Sequence, residues 1–300
     1  MKKLIVYQVD SFTKEKFRGN PAGVVVNADG LNEQEMQMIA RELNNSETAF
    51  IFSPKDSSYD GEIRYFTPTK EVPICGHATI GAMYALAIEK NMDPCVMKIK
   101  TQVGILPFEI IKSGGDYQIV MTQGAFSLSN TLSPKVSDQI IKFLGLTQND
   151  LDPRCPIQIA STGHSKVMIG IKSRKQLNQL TPDLSKLAQL SNEIQCNGYF
   201  VFTFDSDNSD ILTYGRMFAP AIGISEDPVT GNANGPLGGY LVQNKIMDPQ
   251  DGQLSFQASQ GEAIHRMGTM SIHVQVRNEL IACIQIKGSA IVAFKTEILC

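Results

Sequence analysis

Two stretches of this 300-residue chain repeat one another, and the repeat limits the possible folds more than any other feature. "RYFTPTKEVPICGHATIGA" begins at Arg64 and "RMFAPAIGISEDPVTGNANGP" at Arg216, 152 residues later. Both run Arg, any residue, Phe, any residue, Pro, then a short connection to Gly, His or Asn, and Ala. Upstream, "LNEQEMQMIARELNNSETAFIF" from Leu31 has a counterpart in "LTPDLSKLAQLSNEIQCNGYFVF" from Leu180, 149 residues on. Each reads as an amphipathic helix followed by a Phe-rich strand. Two matches at nearly one offset imply two similar domains that arose by duplication and are related by a pseudo-twofold axis. The length suits two domains of about 150 residues.

The local patterns indicate what each domain contains. "LIVYQV", "AGVVV", "TAFIF", "EIRYF", "CVMKIK", "GILPFEII" and "YQIVM" read as strands in the first half. "IQIAS", "KVMIGI", "GYFVFTF", "ILTYGRMF", "QLSFQA", "MSIHVQV" and "LIACIQI" do so in the second. "HATIGAMYALAIEK" is apolar on nearly every side, so a helix near 78–89 belongs inside a domain, and its counterpart falls near 233–244. The expected fold is α+β: two pseudo-symmetric domains, each a mainly antiparallel curved sheet or barrel wrapped around a central buried helix. The boundary is expected in "GAFSLSNTL", giving domains 1–126 and 127–285, with the last strand, 286–300, completing the first or joining the second.

Composition narrows the function classes. A net charge of -3, no basic cluster and no tryptophan leave no electrostatic footprint for nucleic acid or an anionic membrane, so a small molecule or another protein is the expected partner. The opening "MKKLIVYQVDSF" is broken by Gln8 and Asp10 and reads as a strand rather than a signal peptide, and no apolar run reaches about 18 residues. A cytosolic location is expected. Cys75, Cys95, Cys155, Cys196, Cys283 and Cys300 are scattered without a CxxC pair, which favours free thiols and argues against a zinc site.

Gly76 and His77 open one apolar helix, Gly231 and Asn232 the other. A helix start offers unpaired N–H groups and partial positive charge, and glycine lets an anion come close. If the pseudo-twofold brings the two starts together, they form a carboxylate cradle; the plain alternative is a pair of helix caps. Glu47, in "NNSETAFIF", lies where an amphipathic helix meets a buried strand, so its carboxylate is partly shielded and suited to proton exchange. It could equally be a loop acid or a cap. Asp227 precedes the second helix start by one turn, although Asp-Pro is common turn chemistry. Cys75, a thiol at a helix start, could act as base or nucleophile. A two-base racemase needs a second such group, and the counterpart of Cys75 is Thr230, too weak an acid or base for that half. Cys75 therefore reads first as a buried structural thiol. His164, in "STGHSKVMI", has no partner signature.

At these residues the chain resembles the PhzF-like family of phenazine-biosynthesis isomerases. The matching stretches are "VDSFTKEKFRGNPAGVV", "ARELNNSETAFI", "RYFTPTKEVPICGHATIGA", "SEDPVTGNANGPLGGYL" and "QGEAIHRMG", in order over residues 8–268. The resemblance implies a diaminopimelate epimerase-like fold, a homodimer and proton transfer without metal or organic cofactor. It implies that Glu47 is the general acid/base and that His77 and Asp227 orient the substrate amine and carboxylate or assist the proton shuttle. The phenazine enzyme has a serine where this chain has Asn232, and an amide cannot relay a proton as a hydroxyl can. The expected function is a cofactor-independent isomerase of a small cyclic or amino carboxylate resembling dihydro-hydroxyanthranilate. Its substrate-binding residues would be His77, Asp227, Asn232, Gly76 and Gly231. The rivals are a carboxylate-binding protein without catalysis and an epimerase using Cys75.

Overall fold

The computed structural model describes residues 3–299, apart from the side chain of Ser113; Cys300 lies outside them. The chain divides into two compact units, Met1–Thr122 with Lys287–Cys300, and Gln123–Ile286. The first contains β1 (Lys3–Ser11), β2 (Asn20–Val25), α1 (Glu33–Leu43), β3 (Thr48–Phe52), β4 (Gly61–Phe66), β5 (Glu71–Val72), α2 (Gly76–Glu89), β6 (Cys95–Thr101), β7 (Gly104–Ser113) and β8 (Asp116–Thr122). The second contains β9 (Ser127–Leu128), α3 (Pro134–Phe143), β10 (Gln158–Ser161), β11 (Lys166–Ile171), α4 (Arg174–Gln179), α5 (Leu184–Ile194), β12 (Tyr199–Thr203), β13 (Ile211–Ala219), β14 (Ile224–Asp227), α6 (Gly231–Gln243), β15 (Gln253–Gln260) and β16 (Gly268–Arg277). The last strand, β17 (Leu280–Leu299), runs through the boundary between them.

In the first unit β1 pairs antiparallel with β2, β2 parallel with β3, β3 antiparallel with β4, and β4 parallel with β6. β6, β7 and β8 continue antiparallel, and β17 pairs with both β8 and β1. Eight strands thus close into a barrel, which leaves no free edge. α2 fills it, packing on β1, β2, β3, β7 and β8, with every residue from His77 to Ala87 buried. That is the place for a helix apolar on all sides. The amphipathic α1 lies outside. Its Asn32–Glu35 capping box starts it, and Asn44 in the left-handed region ends it. Its Met36, Ile39 and Ala40 face Val25, Phe50 and Phe66 across the sheet's outer surface.

The second unit repeats these pairings. β10–β11 is antiparallel, β11–β12 parallel, β12–β13 antiparallel, β13–β15 parallel and β15–β16 antiparallel, with α6 packed on β10, β11, β15 and β16. β11 is buried along its whole length, because Val167, Ile169 and Ile171 face an outer layer of α3, α4 and α5 while α6 lies on the other side.

The Arg-x-Phe repeat has a structural reason. Arg64 on β4 makes a two-pronged pair with Glu71 on β5 at 2.6 Å for each bond, and Arg216 on β13 makes the same pair with Glu226 on β14 at 2.9 and 2.7 Å. Each guanidinium also lies over its own phenylalanine, Phe66 or Phe218, at 5.2 and 5.0 Å from the ring centre. The pairs pin the short hairpin strand that delivers the chain to the buried helix.

Two departures from the sequence reading stand out. α3 and α4 were not anticipated, although Ser133 before Pro134 and the left-handed Gly145 beyond the C-terminus are ordinary helix start and stop signals. "LIACIQI" and "AIVAFKTEIL" are one strand, not two. The intervening Gly288 does not interrupt the strand: a Cβ there would lie 2.5 Å from the Phe12 ring, so the glycine makes room for a buried aromatic. Gly238 on α6 serves similarly, since a Cβ there would lie 2.7 and 2.8 Å from the stiff γ-methyls of Val274 and Ile272. Gly238→Ala is expected to be destabilising in a denaturant titration. Overpacking costs about 1–3 kcal/mol, against about 1 kcal/mol gained in helix propensity.

Candidate active site

In the first unit, the turn after α1 and the start of α2 meet. Glu47 sits between Ser46 and the first residue of β3, and its carbonyl accepts from the Gly23 N–H at 3.3 Å, which fixes the backbone. Its carboxylate is 15% exposed, with Oε2 3.4 Å from His77 Nε2. The same Nε2 lies 3.2 Å from Ser46 Oγ, and Nδ1 lies 3.3 Å from Cys75 Sγ. His77 is only 7% exposed. Its backbone is tied to β1 by the Ser11 hydroxyl, which donates to the His77 carbonyl at 2.7 Å. The imidazole thus has the Ser46 hydroxyl and the Glu47 carboxylate near Nε2 and the Cys75 thiol near Nδ1. Thiol, imidazole and carboxylate form a compact cluster, with one S, N and O atom of each within 4.8 Å of the others. Cys75 is a member of that cluster.

The cluster lies on the N-terminus of α2. Cys75 is the N-cap residue and makes no side-chain capping bond, unlike Asn32 on α1 or Ser133 on α3. A Cβ on Gly76 would meet nothing within 4 Å, so the helix start has open space in front of it. An uncapped N-terminus with space before it suits an anionic group.

In the second unit, Asp227 ends β14 and Thr230 is the N-cap of α6, again without a side-chain capping bond. The Thr230 hydroxyl donates instead to Asp227 Oδ2. Gln260 holds this turn from three sides. Its Nε2 donates to the Asp227 carbonyl at 2.8 Å and to Thr230 Oγ1 at 3.1 Å, and its Oε1 accepts from Thr230 N–H at 3.1 Å. Gln123 Nε2 donates to the Gly231 carbonyl at 2.9 Å and lies 3.4 Å from Asn232 Oδ1; Thr162 Oγ1 donates to Gln123 Oε1 at 2.8 Å. Lys166 is buried, donating to the Ser165 carbonyl at 3.1 Å. Burial pushes its pKa down, opposed by the charges of Cys196 and Asp227.

Of the residues singled out in the sequence, Glu47, Cys75, Gly76 and His77 come together in the first unit, and Asp227, Thr230, Gly231 and Asn232 in the second. His164 is exposed. Ser46, Gln123, Lys166 and Gln260 were missed as members of these clusters. Gln260 opens the quoted stretch "QGEAIHRMG", and that was the available signal for it; a buried lysine leaves no such mark. For Lys166 the lowered pKa sets a sign. Between the folded value and about 10.4 the unfolded chain binds the proton and the folded chain does not, so stability rises with pH across that window. Denaturation midpoints measured from pH 7 upward should rise for the wild type relative to Lys166→Met, and parallel curves would contradict this.

The model of the family described as phenazine biosynthesis-like protein matches residues 9–296. The chain belongs to that family. An uncharacterized isomerase of Clostridium acetobutylicum is 56% identical over 298 residues, covering 99% of each chain. The trans-2,3-dihydro-3-hydroxyanthranilate isomerase of Pseudomonas chlororaphis is 30% identical over 288 residues, covering 94% of this chain and 95% of that one. The crystal structure of a Bacillus anthracis phenazine biosynthesis protein of the PhzF family aligns over the whole of both chains with a TM-score of 0.90 at 32% identity. This PhzF-family chain is an isomerase, and its fold is the diaminopimelate epimerase-like one expected. Among the described residues no helix is long and apolar enough to cross a membrane.

Proposed function

We propose that this PhzF-family isomerase moves a proton within a small cyclic or amino-bearing carboxylate, with Glu47 as the acid/base and no metal or organic cofactor. The single observation that carries the reading is the Glu47 carboxylate, largely shielded and 3.4 Å from His77 Nε2 at the open start of α2, where no side chain caps the helix. Glu47 takes a proton from a substrate carbon, the electron pair delocalises toward the neighbouring unsaturation, and the same carboxyl returns the proton to another carbon. Atoms and charge balance with no co-reactant. The starts of α2 and α6, at Gly76 and Gly231, serve as the carboxylate sites, and His77, Asp227 and Asn232 orient the ring and its amine. The likeness to the dihydro-hydroxyanthranilate isomerase supports a substrate of that class. Asn232, already engaged by Gln123, makes the detailed ring substituents differ. The enzyme is read as cytosolic and homodimeric, the latter checked by light scattering.

Deuterium uptake from D2O into a mixed pool of small cyclic and amino carboxylates, dihydro-hydroxyanthranilate included, tests this by mass spectrometry. Uptake into one compound with wild type, and none with Glu47→Gln, is the expected result. Tight carboxylate binding without uptake into any compound would favour a binding protein instead. One observation favours a second reading, epimerisation by Cys75: its thiol lies against His77 Nδ1. Its counterpart Thr230 donates to Asp227, which leaves no second thiol, and retained turnover in Cys75→Ala would dispose of that reading.

A further inference from the structure

We propose that Lys166 is the substrate-binding cation of the second unit, receiving the substrate carboxylate on its ammonium while Asp227 takes a nearby amine. The inference rests on the isomerase reading and narrows its substrate to an amino carboxylate whose two charged groups lie close together.

The duplication locates this lysine. In the first unit the Gly23 N–H donates to the Glu47 carbonyl, Gly23 pairs with Thr48, and Glu47 stands just before β3. In the second unit the Val167 N–H donates to the Gly198 carbonyl at 2.8 Å, Val167 pairs with Tyr199, and Gly198 stands just before β12. Gly198 is therefore the counterpart of Glu47, and it has no side chain. Lys166 fills that space, since a Cβ on Gly198 would lie 3.0 Å from Lys166 Cδ. Val167 belongs to the outer core, so alternation along β11 turns Lys166 toward α6. Where the first unit has a carboxylate, the second has an amine.

The amine lies at the α6 end of the unit. Lys166 follows the turn whose Thr162 donates to Gln123 Oε1 at 2.8 Å, and Gln123 Nε2 donates in turn to the carbonyl of Gly231, the first residue of α6. An ammonium has three N–H donors. Lys166 is 4% exposed and makes one hydrogen bond among the described residues, to the Ser165 carbonyl at 3.1 Å, with no ion pair there. Burial disfavours its charge, and the charges of Cys196 and Asp227 oppose that effect through space. A carboxylate on the two remaining donors offsets the cost of the buried charge by short, charge-assisted bonds. Asp227 supplies the opposite sign nearby, its turn held by Gln260 and Thr230. Two fixed charges of opposite sign, one on β11 and one on β14, match a ligand that carries both a carboxylate and an ammonium group.

Calorimetric binding of anthranilate and of its neutral amide, 2-aminobenzamide, to the full chain reads this without turnover, because the two differ only at the carboxylate. The wild type is expected to favour anthranilate by about 10–100-fold, the range for a hydrogen bond to a charged group. Lys166→Met, which keeps most of the length that packs on Gly198, should bind the two alike, with its affinity for the amide unchanged. Lys166→Gln, a donor without charge, should lose most of the preference as well. An equal fall for both ligands would reduce Lys166 to a part of the fold and overturn the proposal. So would a preference that survives in Lys166→Met or is missing from the wild type. Deuterium uptake separates this from the isomerase reading. Uptake that depends on Glu47, beside a preference indifferent to Lys166, removes only the role of Lys166; a preference that depends on Lys166, without uptake into any compound, removes only the isomerase.

Discussion

Glu47→Gln is expected to lower proton exchange by about 10²–10⁴-fold, the range a positioned acid/base supplies, while ligand affinity changes by no more than a few-fold. The separation of the two effects follows from what the substitution keeps. Glutamine has the same length, and its amide oxygen can accept from His77 Nε2, where Oε2 now lies at 3.4 Å. The start of α2, with its uncapped N–H groups and the open space before Gly76, is untouched. Only the group that exchanges a proton is lost. The expected pattern is therefore a fall in kcat with a nearly constant Kd for a non-reacting carboxylate, read by isotope exchange and by equilibrium binding. Equal losses in both would mean that Glu47 holds the substrate and that another group moves the proton.

The largest stability effect is expected at Arg216, which is 7% exposed. Besides its two bonds to Glu226, its Nη1 donates to the carbonyls of Leu177 and Leu180 at 3.0 and 2.9 Å, and Leu180 is the C-cap residue of α4. One side chain thus ties β13, β14 and the end of α4. Arg216→Ala leaves a shielded Glu226 carboxylate and the Leu180 carbonyl without this donor, and leaves the Leu177 carbonyl with the Leu180 N–H at 3.3 Å. Removing one partner of a buried pair costs about 3–5 kcal/mol, which a shift in urea midpoint reports. Arg64, the first-unit equivalent, is 25% exposed at its side chain, and its additional partner Glu33 is 69% exposed. Arg64→Ala should cost clearly less. Replacing the pair together, as Arg216→Met with Glu226→Leu, should recover most of the loss, because apolar groups need no partner. A loss under about 1 kcal/mol in Arg216→Ala would mean that water replaces these bonds and that the pair does not hold the hairpin.

These two residues show how much the sequence discloses and where it stops. Glu47 was legible because the helix-to-strand junction around it is written locally, in the capping signals of α1 and the Phe-rich run of β3, and because its surroundings match a family motif. Arg216 was visible as part of a repeat but not as an anchor. Its partner Glu226 is ten residues away, across a hairpin whose connecting turn differs in length between the two copies. The repeat therefore slips from 152 residues at the arginines to 155 at the glutamates. Cys75 was read chiefly as a structural thiol, since nothing in the order of residues says that a thiol two positions before an imidazole will face its Nδ1.

What the sequence by itself determined is the local and repeated content: two copies of one strand-and-helix order, a helix apolar on every side in each, amphipathic helices outside them, and the segments bearing Glu47, His77 and Asp227. Burial is the reason. A residue's need to leave water repeats with the period of its element, so it can be read along the chain. Only the tertiary structure decided which side chains converge. Closure of the first barrel by β17 sets α2 among β1, β2 and β3, and that packing brings Cys75 and His77 to Glu47. The hold of Gln260 on the Asp227–Thr230 turn, and the burial of Lys166, likewise depend on strands meeting across long stretches of chain. Contacts of that kind are fixed by where the sheet closes, and no short stretch of residues carries that information.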